Sequence, residues 1–220
     1  LCARGLAQGV VTAPIAKDWW AACGYGYRDH TERLAECSAD GSAEMVLGVP
    51  SRNLWCVLAT RHLPLKEAVR RLDESSVVSA ARALDSALRT LGFRRPRLAL
   101  CGLNPHAGEG GLIGGEEKSI LVPALKSLRR EGLKLDGPLP ADSAWRLHVE
   151  GAYDGLVCLY HDQALIPLKT VGGLSGVNWT VGLPFTRTSP AHGTAWEAAR
   201  GGRIDASATI EAARLAARLL

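Results

Sequence analysis

Apolar-rich runs of strand length alternate along this chain with longer segments of helical period, and that alternation restricts the fold more than any single residue does. Residues 9–13, 43–49, 54–60, 97–102 and 155–160 are such runs, the pattern of strands buried on both faces. Helical patterns occupy 75–91, 116–131 and 208–219. The first is the clearest: Val77, Ala81, Leu84, Leu88 and Leu91 recur every three or four residues, and Gly92 follows as a stop. Strands separated by helices indicate an α/β architecture, in which ligands bind beyond the carboxyl ends of the strands. Residues that immediately follow strands are therefore where chemistry is expected.

Three histidines stand there. His62 follows the run 54–60 in Thr60-Arg61-His62-Leu63-Pro64, where a Pro-initiated helix is predicted. His106 follows the run 97–102 in Gly102-Leu103-Asn104-Pro105-His106-Ala107-Gly108-Glu109-Gly110-Gly111, and His161 follows the run 155–160 in Tyr160-His161-Asp162-Gln163. Imidazole is a common ligand for zinc and similar divalent ions, and three protein ligands with an open position define a catalytic site. The histidines are 44 and 55 residues apart, so any convergence must come from the fold. Spacing alone leaves three metal ligands and three hydrogen-bonded structural histidines both open. Asp162 suits a hydrogen bond to the neighbouring imidazole or a further ligand.

The glycine-rich stretch from Gly108 to Gly115 precedes a helical pattern and suits anion binding at a helix N-terminus. It matches neither a dinucleotide fingerprint nor a P-loop. Lys169, Asn178 and Arg187 follow His161 and carry anion-binding chemistry, Arg as a fork and Lys as a point charge. His192-Gly193-Thr194-Ala195 opens a further helix near Trp196, with Thr194 in position to cap it.

Composition excludes several classes. A chain of 220 residues that is 47% hydrophobic and 22% charged can bury one large core or two small ones. Its net charge of +4 is spread along the sequence without a basic tail, which argues against nucleic-acid binding and for a mild preference for small anions. Arg94, Arg95 and Arg97 read as a solvated loop before a strand. The six cysteines are single, with no C-x-x-C pair; Cys56, Cys101 and Cys158, inside apolar runs, read as buried thiols of a cytoplasmic protein. No apolar stretch approaches the roughly 18 residues of a membrane span, and the opening Leu1-Cys2-Ala3-Arg4 does not read as a secretory signal.

The motifs already quoted, together with Val10-Val11-Thr12-Ala13-Pro14-Ile15-Ala16-Lys17, His30-Thr31-Glu32, Gly182-Leu183-Pro184-Phe185 and Arg187-Thr188-Ser189, resemble in order those of the 4-hydroxythreonine-4-phosphate dehydrogenase (PdxA) family. The resemblance covers nearly the whole chain. It implies a three-layer α/β/α fold like that of the isocitrate and isopropylmalate dehydrogenases, and a cytoplasmic homodimer with its active site at the dimer interface. It implies His62, His106 and His161 as ligands of a divalent metal, zinc with magnesium or cobalt as alternatives. His30, Thr31, Lys169, Asn178 and Arg187 would bind a small phosphorylated substrate, His30 and Lys169 would take part in catalysis, and His192, Gly193, Thr194 and Ala195 would contact NAD or NADP. The implied reaction is oxidation of 4-phosphooxy-L-threonine to a β-keto acid that decarboxylates to 3-amino-2-oxopropyl phosphate, in pyridoxal phosphate biosynthesis.

Departures from the family pattern bear on these expectations. Asp29 stands where a glycine commonly precedes His30, Ala16 replaces a frequent Asn, and Ala191 a frequent Asp before His192. Asp29 beside a phosphate-binding histidine is expected to weaken anion affinity by like-charge repulsion, and Ala191 bears on cofactor affinity. The family's N-terminal Gly-Asp-Pro-Ala-Gly-Ile-Gly-type motif does not occur in residues 1–220, so the chain is read as the C-terminal part of one family unit. Three alternatives stay open: a related dehydrogenase of another phosphorylated hydroxy acid or a dihydrodiol carboxylate, a metal-dependent hydrolase, and a truncated, non-catalytic binding protein.

Overall fold

The computed structural model describes residues 1–27, 29–38, 41, 43–202 and 204–220. In chain order the elements are β1 (Gly9–Val11), α1 (Lys17–Ala22), α2 (His30–Ala35), β2 (Glu44–Val49), β3 (Leu54–Leu58), α3 (Leu65–Arg71), α4 (Glu74–Thr90), β4 (Arg97–Cys101), α5 (Val122–Arg130), β5 (Lys134–Leu139), α6 (Ala141–Val149), β6 (Gly155–Cys158), α7 (His161–Gly172), β7 (Val177–Val181), β8 (Thr186–Pro190), α8 (Trp196–Arg200) and α9 (Ser207–Leu219). The α/β class read from the sequence holds. Every predicted strand forms, but β5, β7 and β8 were not predicted. Gly137-Pro138 interrupts the β5 run, and β8 is the polar sequence Thr-Arg-Thr-Ser-Pro, which hydropathy alone assigns to a loop.

The chain divides into two compact units, one made of Leu1–Arg52 with Gly172–Leu220 and the other of Asn53–Val171. In the first, β1 lies parallel to β8, which pairs antiparallel with β7, and β7 pairs antiparallel with β2. Helix α9 packs on β8, β7 and β1. Thr188 in β8 donates its hydroxyl to the Ala212 carbonyl at 2.8 Å, so a polar strand side chain is buried without an unsatisfied group.

The second unit is wholly parallel, in the order β3-β6-β4-β5. Such a sheet is stable only with its faces covered, which explains the near-continuous apolar runs. Helix α4 covers one stretch closely because β6 opens with Gly155: a Cβ there would lie 2.9 Å from Leu84 and 3.0 Å from Leu88. Both leucines are fully buried, each worth about 1.5–3 kcal/mol. Asp73 and Ser76 form a capping box at the start of α4, removing two unpaired donors.

The predicted helix 116–131 begins instead as a π-helical turn, Glu117–Leu121, that passes into α5. Pro123 has no N–H to give the carbonyl four residues earlier, which favours the wider turn. The expected solvated arginine loop also divides. Arg97 opens β4 and grips Asp154 through Nη2 at 2.8 Å and Nε at 3.2 Å. Burial alone would raise the Asp154 carboxyl, but the hydrogen bonds and charge of Arg97 hold it below its usual range. Cys56, Cys101 and Cys158 are buried free thiols; burial and mutual hydrogen bonding push the Cys158 thiol up. Among the described residues no helix is long and apolar enough to cross a membrane.

His148 in α6 is a structural histidine with one possible tautomer. Its Nε2 accepts from the Trp55 backbone N–H at 3.1 Å, so Nδ1 carries the proton and donates to the Tyr153 carbonyl at 2.9 Å. Burial lowers its pKa from 6.5. The folded state therefore binds a proton less readily than the unfolded chain, so the stabilisation is complete above 6.5 and is lost as pH falls through the folded value. Urea unfolding is expected to show declining stability as pH drops below about 6.5. His148→Ala should cost about 2–4 kcal/mol at neutral pH, from the unpaired Trp55 N–H and the cavity, and should flatten that acid-side decline. An unaltered decline in the variant would assign it to other groups.

Candidate active site

In the parallel unit, strands β3, β6 and β4 are neighbours, and each is followed by one of the three histidines. Backbone bonds continue past the strand ends: Ala59 N–H donates to the Cys158 carbonyl at 2.8 Å and Thr60 N–H to the Leu159 carbonyl at 3.1 Å. The Thr60 hydroxyl adds a 2.7 Å bond to the Leu159 carbonyl. These ties bring His62 and His161 together, with ring centres 5.7 Å apart. Two imidazoles bound to one divalent ion at about 2.0–2.1 Å have ring centres roughly 5–6 Å apart.

His161 stands at the start of α7, and its Nδ1 lies 2.7 Å from the Asp162 carboxylate. That bond favours the Nδ1–H tautomer and leaves Nε2 as the lone-pair donor, the arrangement seen behind metal-binding imidazoles. His62 has φ 39°, in the left-handed region that residues bearing a Cβ seldom adopt and that is enriched at functional positions.

His106 lies in a loop of unusual backbone. His106, Ala107, Gly108, Glu109 and Gly110 are all left-handed, with φ between 42° and 77°. For the residues bearing a Cβ this costs roughly 1–2 kcal/mol each, so the surroundings must hold the loop. Gly102 allows its close return, since a Cβ there would lie 2.8 Å from the Ala107 Cα. The buried Gln163 amide also ties the start of the loop to the segment after β6: its Oε1 accepts the Leu159 N–H and its Nε2 donates to the Gly102 carbonyl, both at 2.7 Å.

Two backbone N–H groups just ahead of the glycine-rich stretch are taken by a carboxylate of the chain itself. The Leu103 and Asn104 N–H groups donate to Glu117 Oε1 at 2.9 and 2.8 Å. Among the described residues, no group of three or more His, Cys, Asp or Glu side chains is placed to hold a metal ion. The structure thus pairs His62 with His161 and does not gather His106 with them.

In the other unit Arg187, in the middle of β8, is only 3% exposed. Its Nη1 donates to Thr180 Oγ1 at 2.8 Å, and its Nη2 and Nε donate to Thr12 Oγ1 at 2.7 and 3.2 Å. Burial lowers its pKa to about 10, with Asp29 opposing, so it remains cationic at neutral pH. Among the described residues it makes no salt bridge, and a buried cation bonded only to hydroxyls has unmet demand for an anion.

His30 opens α2, and burial and the Arg187 charge lower its pKa. Trp20 meets its ring edge-on at 5.3 Å. Asp29, expected to repel an anion, caps α2 by accepting the Glu32 N–H at 2.9 Å. Thr31 is buried beside it, and Asn178 in β7 is buried with its Oδ1 unpartnered among the described residues. Lys169 is exposed on α7 in the parallel unit.

The His192–Ala195 segment forms an irregular turn, with His192 Nδ1 2.8 Å from the Gly193 carbonyl. Thr194 does not cap α8; Ala195 does, at φ 56° and without a side-chain bond, because the turn places Ala195 rather than Thr194 at the helix start. Trp196, Glu197 and Arg200 of α8 line a cleft of about 760 Å³ with Trp19, Trp20 and Tyr25. Sequence reasoning missed this cleft, as well as Thr12, Thr180 and Glu117. The available signal was the gathering of Trp19, Trp20 and Tyr25 in a chain that is 5% aromatic.

Against known proteins, the chain is 46% identical over 218 residues to a 4-hydroxythreonine-4-phosphate dehydrogenase of Bradyrhizobium diazoefficiens, covering 98% of this chain and 63% of that protein. It spans less than two thirds of that relative's length. The crystal structure of 4-hydroxythreonine-4-phosphate dehydrogenase from Klebsiella pneumoniae matches with TM-score 0.86 at 37% identity, over 99% of this chain and 65% of the other. That match bears out the fold expected from the resemblance. A terephthalate 1,2-cis-dihydrodiol dehydrogenase from Burkholderia xenovorans matches with TM-score 0.73 at 32% identity, over 99% of this chain and 69% of the other. The family model for the pyridoxal phosphate biosynthetic protein PdxA matches residues 1–216, and the chain belongs to the PdxA family.

Proposed function

We propose that this chain carries the metal- and NAD-dependent oxidation of 4-phosphooxy-L-threonine, giving a β-keto acid that loses carbon dioxide to form 3-amino-2-oxopropyl phosphate. The observation that carries the reading is Arg187, a buried guanidinium held by Thr12 and Thr180 with, among the described residues, no carboxylate bonded to it. A substrate phosphate supplies the missing charge through two parallel hydrogen bonds. His30, Thr31 and Asn178 add polar contacts on the same unit, and the lowered pKa of His30 keeps its imidazole neutral and able to accept a proton near neutral pH. Lys169 supplies a further cation for a substrate carboxylate.

His62, His106 and His161 are the proposed metal ligands, for zinc or a similar divalent ion. When bound, the metal polarises the substrate hydroxyl and NAD takes the hydride. The chain's own part is to hold the ligands and substrate, with Asp162 fixing the His161 ring. Because His62 and His161 are paired within one chain while His106 is not gathered with them, we assign His106 to the site of the second protomer in a cytoplasmic homodimer. The aromatic cleft next to His192–Ala195 suits the adenine of NAD, since flat rings stack on indole faces. A dihydrodiol carboxylate is the second substrate reading, favoured by the Burkholderia xenovorans likeness.

Four measurements test these assignments. Incubation with NAD, zinc and 4-phosphooxy-L-threonine should yield NADH; NADH only with a dihydrodiol carboxylate would select the second reading, and phosphate release without NADH would sink both. His62→Ala and His106→Ala should each abolish stoichiometric metal binding. Mixing the two variants should restore one site per mixed dimer, because one protomer then supplies an intact His62–His161 pair and the other an intact His106; no restoration would place all three ligands in one chain. Arg187→Ala should weaken substrate binding by roughly 100-fold, the loss of charged hydrogen bonds, and NAD binding by less than about threefold. Equal losses would indicate a fold defect. Since burial brings Arg187 down only to about 10, wild-type substrate affinity should hold up to a pH of about 9.

A further inference from the structure

We propose that Glu117 is the positioning residue that fixes His106: its buried carboxylate is an internal anion around which the left-handed His106 loop is folded. The inference rests on the reading of His106 as a metal ligand. Glu117 is 6% exposed and, among the described residues, forms no salt bridge. All the partners found for it lie at the start of the loop. Oε1 accepts the backbone N–H groups of Leu103 and Asn104 at 2.9 and 2.8 Å, and Oε2 accepts Asn104 Nδ2 at 2.9 Å.

Successive backbone N–H groups converging on one oxygen form the concavity that in other proteins receives a bound anion. Here the anion arrives from the π-helical turn Glu117–Leu121, a wider turn of the kind that recurs at functional positions. Its fit is close. A Cβ on Gly108 would lie 2.7 Å from Glu117 Oε2, and Gly108 is left-handed at φ 77°, so the loop closes over the carboxylate only with glycine there. Asn104 is held from its other side by Glu116 Oε2 at 2.8 Å.

His106 is two residues beyond Asn104 and Pro105 fixes the link between them, so the clamp on Leu103 and Asn104 sets where the imidazole projects. Without it, Leu103 and Asn104, which lead into the left-handed run from His106 to Gly110, lose the bonds that hold them. A ligand whose backbone must be reorganised on binding gives up affinity, and partners behind metal ligands are typically worth 10–100-fold. Glu117→Gln keeps the shape but turns one oxygen into a donor facing the donors of Leu103 and Asn104.

The test is metal affinity of the dimeric protein, measured with Zn²⁺ against a competing chelator and with Co²⁺ by its visible ligand-field bands, beside thermal unfolding without metal. Glu117→Gln should weaken Zn²⁺ binding by about 10–100-fold and shift the Co²⁺ bands, while metal-free unfolding stays close to wild type. Asn104→Ala, which removes the Oε2 partner from a half-exposed position, should move affinity in the same direction by less, and it decides the matter if Glu117→Gln does not fold. Wild-type affinity and bands in a folded Glu117→Gln or Asn104→Ala protein would overturn the clamp and leave the metal reading standing. Metal affinity unchanged by His106→Ala would overturn both.

Discussion

Parallel pairing of β3, β6 and β4 is the constraint on which the rest of the parallel unit depends. Parallel strands run the same way and finish on the same edge, so whatever follows them is delivered to one edge of the sheet. His62, His161 and His106 each follow one of these strands within a few residues. The bonds that extend beyond the strands, from Ala59, Thr60 and Gln163, convert this coarse placement into a fixed one. They also explain the shortened strands: the backbone leaves the extended conformation early because the next residues are committed to turns that present a side chain.

Two of the buried charged residues, Glu117 and Arg187, are satisfied in different ways. Glu117 and Arg187 are almost equally inaccessible, and both would be costly to bury alone. Glu117 is satisfied within the chain, by two backbone N–H groups and an amide, so it needs no ligand and acts on the loop that surrounds it. Among the described residues Arg187 is bonded only to two hydroxyls, which accept hydrogen bonds but carry no charge. The same cost of burial is thus met within the chain by charge-complementary bonds at Glu117 and only by neutral hydroxyls at Arg187. His30 responds to the same field, since the arginine charge adds to burial in keeping its imidazole neutral.

The strand-length runs and the α4 pattern were legible because apolar periodicity is a local property. The site was legible only in part. His62, His106 and His161 stood out by following strands, whereas Thr12 and Thr180 gave no signal, because which hydroxyls meet a buried guanidinium depends on how the strands pair. β8 was missed for the same reason. Its polar side chains are satisfied by partners far away in sequence, Thr188 by Ala212 and Arg187 by Thr12, and no local pattern encodes those bonds. Asp29, read as a repulsive charge, also caps α2, a role that depends on where the helix begins.

The sequence by itself determined the α/β class, the identity of the residues available for chemistry and, through ordered motifs along nearly its whole length, the PdxA family. Tertiary structure alone decided how those residues are used. It paired His62 with His161 and left His106 apart, bonded the Leu103 and Asn104 N–H groups to Glu117, and buried Arg187 with, among the described residues, no carboxylate hydrogen-bonded to it. The physical reason is that hydrogen bonding and desolvation act between groups brought close in space, while periodicity and motif describe only groups close in sequence.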